Sequence, residues 1–127
     1  MAKDTAKKLT KRGLPSEVRL AVQAGQAKKA EDILVLDLRD LTSFTDFFLI
    51  VTGNSSRQNE AISESVEVEL KRRGTRPLGV EGRETAEWIL MDYGSFIIHV
   101  FSRHAREHYS LEKLWGDAPR IAYVERA

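Results

Sequence analysis

The apolar residues of this chain gather in two kinds of run. Ile33 to Leu38 (ILVLDL) and Asp46 to Thr52 (DFFLIVT) are short, rich in branched or aromatic residues and almost continuously hydrophobic, the pattern of strands covered on both faces. Only the polar stretch RDLTSFT separates them, so they are expected to lie side by side and antiparallel. Elsewhere the period is helical. From Leu14 to Ala30, with its Pro-Ser start, Val18, Ala21, Val22 and Gly25 fall near helical spacing. From Ser55 to Arg73, Ile62, Val66 and Leu70 recur every four residues, and Gly74 stands where a helix end favours a left-handed residue. Ser55 and Gln58 have the spacing of a capping box, with Asn54 an alternative cap.

A short extended piece, Arg76 to Val80, leads into the loop EGRETAE. Glu87 to Asp92 and Phe96 to Ser102 then read as a hairpin turning at Tyr93, Gly94 and Ser95. From His104 to Trp115, Ala105, His108, Leu111 and Trp115 predict one or two short helices, and Pro119 stops any continuation. Helices interrupting continuous apolar strands indicate an α/β domain with a mixed β-sheet flanked by helices. A length of 127 residues suits one domain. Its expected limits are residues 14–118, between a basic tail (1–13) and a C-terminal tail (119–127).

Charge and composition narrow the function. Cysteine is absent, which excludes disulfides, thiolate catalysis and cysteine-ligated zinc. A net charge of +1 does not suit a polyelectrolyte binder of nucleic acid, although Lys3, Lys7, Lys8, Lys11 and Arg12 crowd the first tail. That tail reads as a solvated arm, with a minor contact to RNA phosphates as the alternative. Glu60, Glu64, Glu67 and Glu69 load the later helix with negative charge. No apolar run suggests a membrane span and the N-terminus lacks the apolar centre of a secretory signal, so a cytoplasmic protein is expected.

The stretch VTGNSSRQ (51–58) has the makings of a phosphate cradle, with a glycine turn, free helix amides and Arg57. It matches neither nucleotide fingerprint. It also resembles the opening of the nucleotidyltransferase fold, which needs paired carboxylates on the next strand to hold metal ions. RPLGV carries no acid, so a capped helix after a tight turn is the better account and a nucleotide-binding enzyme the alternative. Among the histidines, His99 alternates with Ile97 and Phe101 and suits a hydrogen-bonded position near the core. His104 and His108 share a helix face without a third metal ligand. No catalytic, metal or cofactor residue emerges. Trp88, Leu90 and Asp92 share one face of their strand and Ile89, Met91 and Tyr93 the other. An accessible face bearing Trp88 would have the composition of a protein-binding patch, whereas a core tryptophan is the blander account. Trp115 is expected to pack its terminal helix onto the domain.

Taken in order and spacing, TSFTDFFLIVTGNSSRQ, PLGVEG, EWILMDYGSFIIHVF and AREHYSLEKLWGDA resemble the ribosomal silencing factor (Iojap-like) family over about residues 17–118. The resemblance implies a nucleotidyltransferase-like fold without the catalytic carboxylates, no enzymatic activity and no cofactor. It implies binding to the large ribosomal subunit through its fourteenth protein, at the face that meets the small subunit. Subunit joining would then be hindered and translation repressed when nutrients are short. The family's partner-binding tryptophan falls on Trp88, with Leu90, Asp92 and Tyr93 in the same block. Arg57, Arg106, Glu107 and Tyr109 match other blocks and are expected in structural or rim roles. Ser95 stands where many members carry an acid, and the basic tail has no place in the family pattern. An exposed sheet edge or apolar patch could support a homodimer.

Overall fold

The computed structural model describes residues 9–124. Its elements are α1 (Ser16–Ala27), β1 (Glu31–Asp37), β2 (Phe47–Gly53), α2 (Ser56–Arg72), β3 (Gly79–Glu81), β4 (Trp88–Asp92), β5 (Phe96–Ser102), α3 (Arg103–Tyr109), α4 (Leu111–Leu114) and β6 (Arg120–Ala122). The strands form one six-stranded sheet in the order β3-β4-β5-β2-β1-β6. β2 and β5 run parallel at its centre, while β1 and β2 are antiparallel neighbours as their short connection requires.

Both faces of the central strands are covered, which is why β2 is buried at every position. Val35, Leu49, Val51, Ile89, Met91, Ile98 and Val100 point to the side of α1 and α2, meeting Val18, Ala21, Val22, Ile62, Val66 and Leu70. Leu34, Leu36, Phe48, Ile50 and Phe101 point the other way, toward Ala105, Leu111 and Trp115. The long helix starts where its cap places it: Ser55 Oγ accepts from the Gln58 amide at 3.0 Å. The returning half of the box shifts by one residue, because Gln58 Oε1 accepts from the Asn54 amide rather than from Ser55. At the other end Gly74 has φ +82°, the left-handed conformation expected there.

Residues beyond both expected domain limits pack with the fold. Residues 120–122 form an edge strand antiparallel to β1, with Val35 opposite Ile121. Three residues after a proline are too few to show a period, so this strand had no pattern to announce it. At the other end Leu9 packs against the core and the Lys11 ammonium lies 4.7 Å from the Tyr123 ring centroid. The expected solvated arm therefore does not reach residues 9–11. Its remaining lysines, Lys3, Lys7 and Lys8, lie outside the described residues.

Candidate functional site

The Gly53 turn is filled by the chain's own groups. A Cβ added at Gly53 would stand 1.9 Å from Asn59 Oδ1, so close packing alone requires glycine there. Asn59 is fully buried and donates through Nδ2 to the Ala86 carbonyl at 2.8 Å, tying the 82–87 loop to α2. Gln58 Nε2 donates to the Lys28 and Lys29 carbonyls, and Asn54 Nδ2 donates to Glu31 Oε2 at 2.9 Å. A carboxylate thus stands beside the turn and disfavours an anion there. β3 ends in Glu81, one residue beyond the acid-free stretch, and Glu81 pairs with Leu90, away from this turn's packing. Among the described residues no group of three or more histidines and acids could hold a metal ion. His104 and His108 stack, with centroids 6.1 Å apart, on an exposed helix face.

The second face of the sheet is different. Its register aligns Trp88, Leu90 and Asp92 with Phe101, His99 and Ile97 on β5, and these in turn with Thr52, Ile50 and Phe48 on β2. Toward β1, Trp115 and Phe44 close over Phe48, with Trp115 edge-on at 6.2 Å. Trp115 thus holds the terminal helices down, as expected. Toward β4 the cover stops, leaving Trp88, Leu90, Asp92 and Ile97 half-buried.

Trp88 is held in place by chemistry on three sides. Its indole N–H donates to His99 Nδ1 at 3.1 Å, and its ring packs 5.0 Å from Phe101 and 4.5 Å from Tyr109. Accepting at Nδ1 requires His99 to be neutral with its proton on Nε2. Burial secures that state by pushing its pKa down to about 3. Tyr109, itself 48% exposed, extends the ring surface outward from Trp88. Asp92 accepts from the Gly94 amide through Oδ1 at 2.8 Å, fixing the hairpin turn and leaving its other oxygen available. The exposed Glu81 shares this face across from Leu90, so acids flank the apolar strip on two sides.

Tyr93 does not belong to this surface. It is 9% exposed on the helix-covered side, stacked on Phe96 at 4.9 Å, and burial, helped by Glu67, pushes its phenol up to about 12. The alternation of a strand puts it there, opposite in sense to Trp88, Leu90 and Asp92. Arg106 is structural: it donates to Glu112 Oε2, the Asp32 carbonyl and Thr52 Oγ1, clamping α3 to the bulge in β1. Arg57 and Glu107 are exposed. The sequence suits Tyr109 to a structural or rim role but does not show that it touches Trp88, because no spacing rule links a strand start to the end of a later helix.

The fold and this surface define a class: a mixed α/β domain presenting a half-covered aromatic sheet face flanked by acids. A model of the family described as "Ribosomal silencing factor during starvation" matches residues 11–127, and the chain belongs to that family. It is 41% identical over 104 residues to ribosomal silencing factor RsfS of Bacillus subtilis, covering 82% of this chain and 88% of that protein. It is 31% identical over 106 residues to the mouse protein named mitochondrial assembly of ribosomal large subunit protein 1, covering 81% of this chain and 46% of the mouse protein. A crystal structure of a Chromobacterium violaceum protein superposes with a TM-score of 0.78 at 40% identity, covering 80% of this chain and 84% of that one. The family's name places its members in translation regulation at the ribosome.

Proposed function

We propose that this chain binds the large ribosomal subunit at the face that meets the small subunit, through the fourteenth large-subunit protein, and so hinders subunit joining and represses translation under nutrient limitation. The observation that carries this reading is Trp88, held half-buried and pre-oriented on the uncovered half of the sheet in a ribosomal silencing factor. A large aromatic fixed before binding loses little freedom on docking, which is what an interface anchor needs. Leu90 extends the apolar strip, and Asp92 with Glu81 offers charge to a basic partner. The mechanism is steric and no bond is made or broken: the domain occupies a surface that the small subunit requires.

Cosedimentation with separated subunits tests the reading. The chain should travel with large subunits and not with small ones. Trp88→Ala, at a half-exposed position, should keep its circular dichroism spectrum and lose about 2 kcal/mol of binding or more, roughly 30-fold in affinity. Undiminished cosedimentation of the folded variant would remove Trp88 from the anchor role.

A further inference from the structure

α2 changes charge along its length. Glu60 and Glu64 are exposed and Glu67 pairs with Arg83 at 2.7 Å, but from Lys71 onward the chain reads KRRGTR. Lys71 and Arg72 close the last turn, Arg73 is the C-cap residue and Arg76 follows the left-handed Gly74. All of these side chains are exposed. Arg72 pairs with Glu69 at 3.1 Å, whereas no ion pair among the described residues reaches Lys71, Arg73 or Arg76. Cations at a helix C-terminus favour the helix dipole, and that accounts for Lys71 and Arg72. It does not account for Arg76, which lies beyond the helix.

The run also has a particular place. The Leu78 amide donates to the Asp92 carbonyl at 2.7 Å, so the segment emerges beside the end of β4 that carries Asp92. A partner docked on Trp88, Leu90 and Asp92 would have Leu78, 77% exposed, at its border and Arg76 two residues before it in the chain, with Lys71 and Arg73 behind the sheet edge at the end of α2.

Resting on the proposed ribosomal docking, we infer that Lys71, Arg73 and Arg76 contact the phosphate backbone of ribosomal RNA beside the docked domain and fix its orientation. Guanidinium forks pair with phosphate oxygens in two-point fashion, and the lysine adds a point charge. The run contains no aromatic residue and Tyr93 in the neighbouring hairpin is buried, so nothing is offered for base stacking and the contact is to backbone, without sequence preference. Proteins that coat RNA carry positive surface to meet its phosphates, so on such a particle the anion facing this run is the RNA itself.

The test is the salt dependence of binding to purified large subunits by the full chain, by a variant combining Lys71→Gln, Arg73→Gln and Arg76→Gln, and by Trp88→Ala. Each phosphate contact contributes about 0.7–0.9 to the slope of log affinity against log salt, so the glutamine variant should be shallower by about 2–3. Between about 50 and 200 mM salt the wild type should accordingly lose about 20- to 40-fold more affinity than the variant. Trp88→Ala should weaken binding at all salt concentrations with the slope unchanged. A photoreactive group placed at Thr75 should give a crosslinked product that ribonuclease destroys. An unchanged slope in the glutamine variant overturns the inference while leaving the docking reading intact. A crosslink to protein alone also overturns it, in favour of an acidic protein neighbour. Absence of wild-type cosedimentation at any salt overturns both.

Discussion

Trp88 and Tyr93 belong to one hairpin and face opposite ways, and the difference decides what each can do. Tyr93 Oη is buried without a hydrogen-bond partner on the side of α2, so Tyr93→Phe removes a polar atom that gains nothing from its site. It should leave ribosome binding unchanged and chemical stability unchanged or higher by about 1 kcal/mol, measured by urea denaturation. His99 makes a different demand. The unfolded chain protonates it near the ordinary value of 6.5, but the folded chain resists until about pH 3, among Trp88, Phe48 and Phe101, which carry no charge. Above pH 6.5 it therefore contributes no pH dependence, and below it the unfolded state binds the extra proton and stability falls by about 1.4 kcal/mol per pH unit. Burial pushes the Asp37 carboxyl up, but the hydrogen bonds and charge of Arg39 outweigh that and hold it below 3.8, so its own loss begins only at lower pH. His99→Gln, which cannot titrate, should flatten the stability profile between pH 6 and about 4.5 in denaturation measured across that range. Strand alternation alone separates Trp88 from Tyr93, and only the family block joined them. That His99 is Trp88's acceptor was not legible, because cross-strand pairing depends on a register that a single sequence does not state.

At the scale of elements, the sequence was most legible where local chemistry fixes a boundary. Ser55 begins α2 and Gly74 ends it, and the hairpin of β4 and β5 turns where Gly94 has φ +85°. It was least legible where an element exists only through its partners. β6 is held by pairing with β1, by the Asp37 amide donating to the Pro119 carbonyl and by the Tyr123 amide donating to the Ile33 carbonyl. Arg120 adds contacts from its Nη2 to the Glu112, Trp115 and Gly116 carbonyls, which secure α4. Deleting residues 120–127 should thus not behave as the loss of a tail. Removing the part-buried Ile121 and Tyr123 together with these bonds should cost roughly 2–5 kcal/mol of stability. A lowered urea midpoint checks this, and an unchanged midpoint would show that β6 adds nothing to the fold.

On the whole molecule, the sheet divides labour between its faces. One is closed by α1 and α2 and supplies most of the core, while the other is closed over β1, β2 and the Phe101 end of β5 and stays open over β4. This asymmetry makes the proposed mechanism one of competition for a surface, with a kinetic consequence. A steric block can act only on a large subunit whose joining face is free. Chain added to free large subunits before small ones should lower the yield of joined ribosomes in proportion to its occupancy. Added to ribosomes already joined, it should accumulate on large subunits no faster than they separate by themselves, since on the proposed mechanism the small subunit would cover the site. A sucrose-gradient time course in both orders of addition distinguishes the two. Acceleration of separation beyond the spontaneous rate would mean that the chain binds the joined particle first and acts on it, and simple occupancy would then fail as the mechanism.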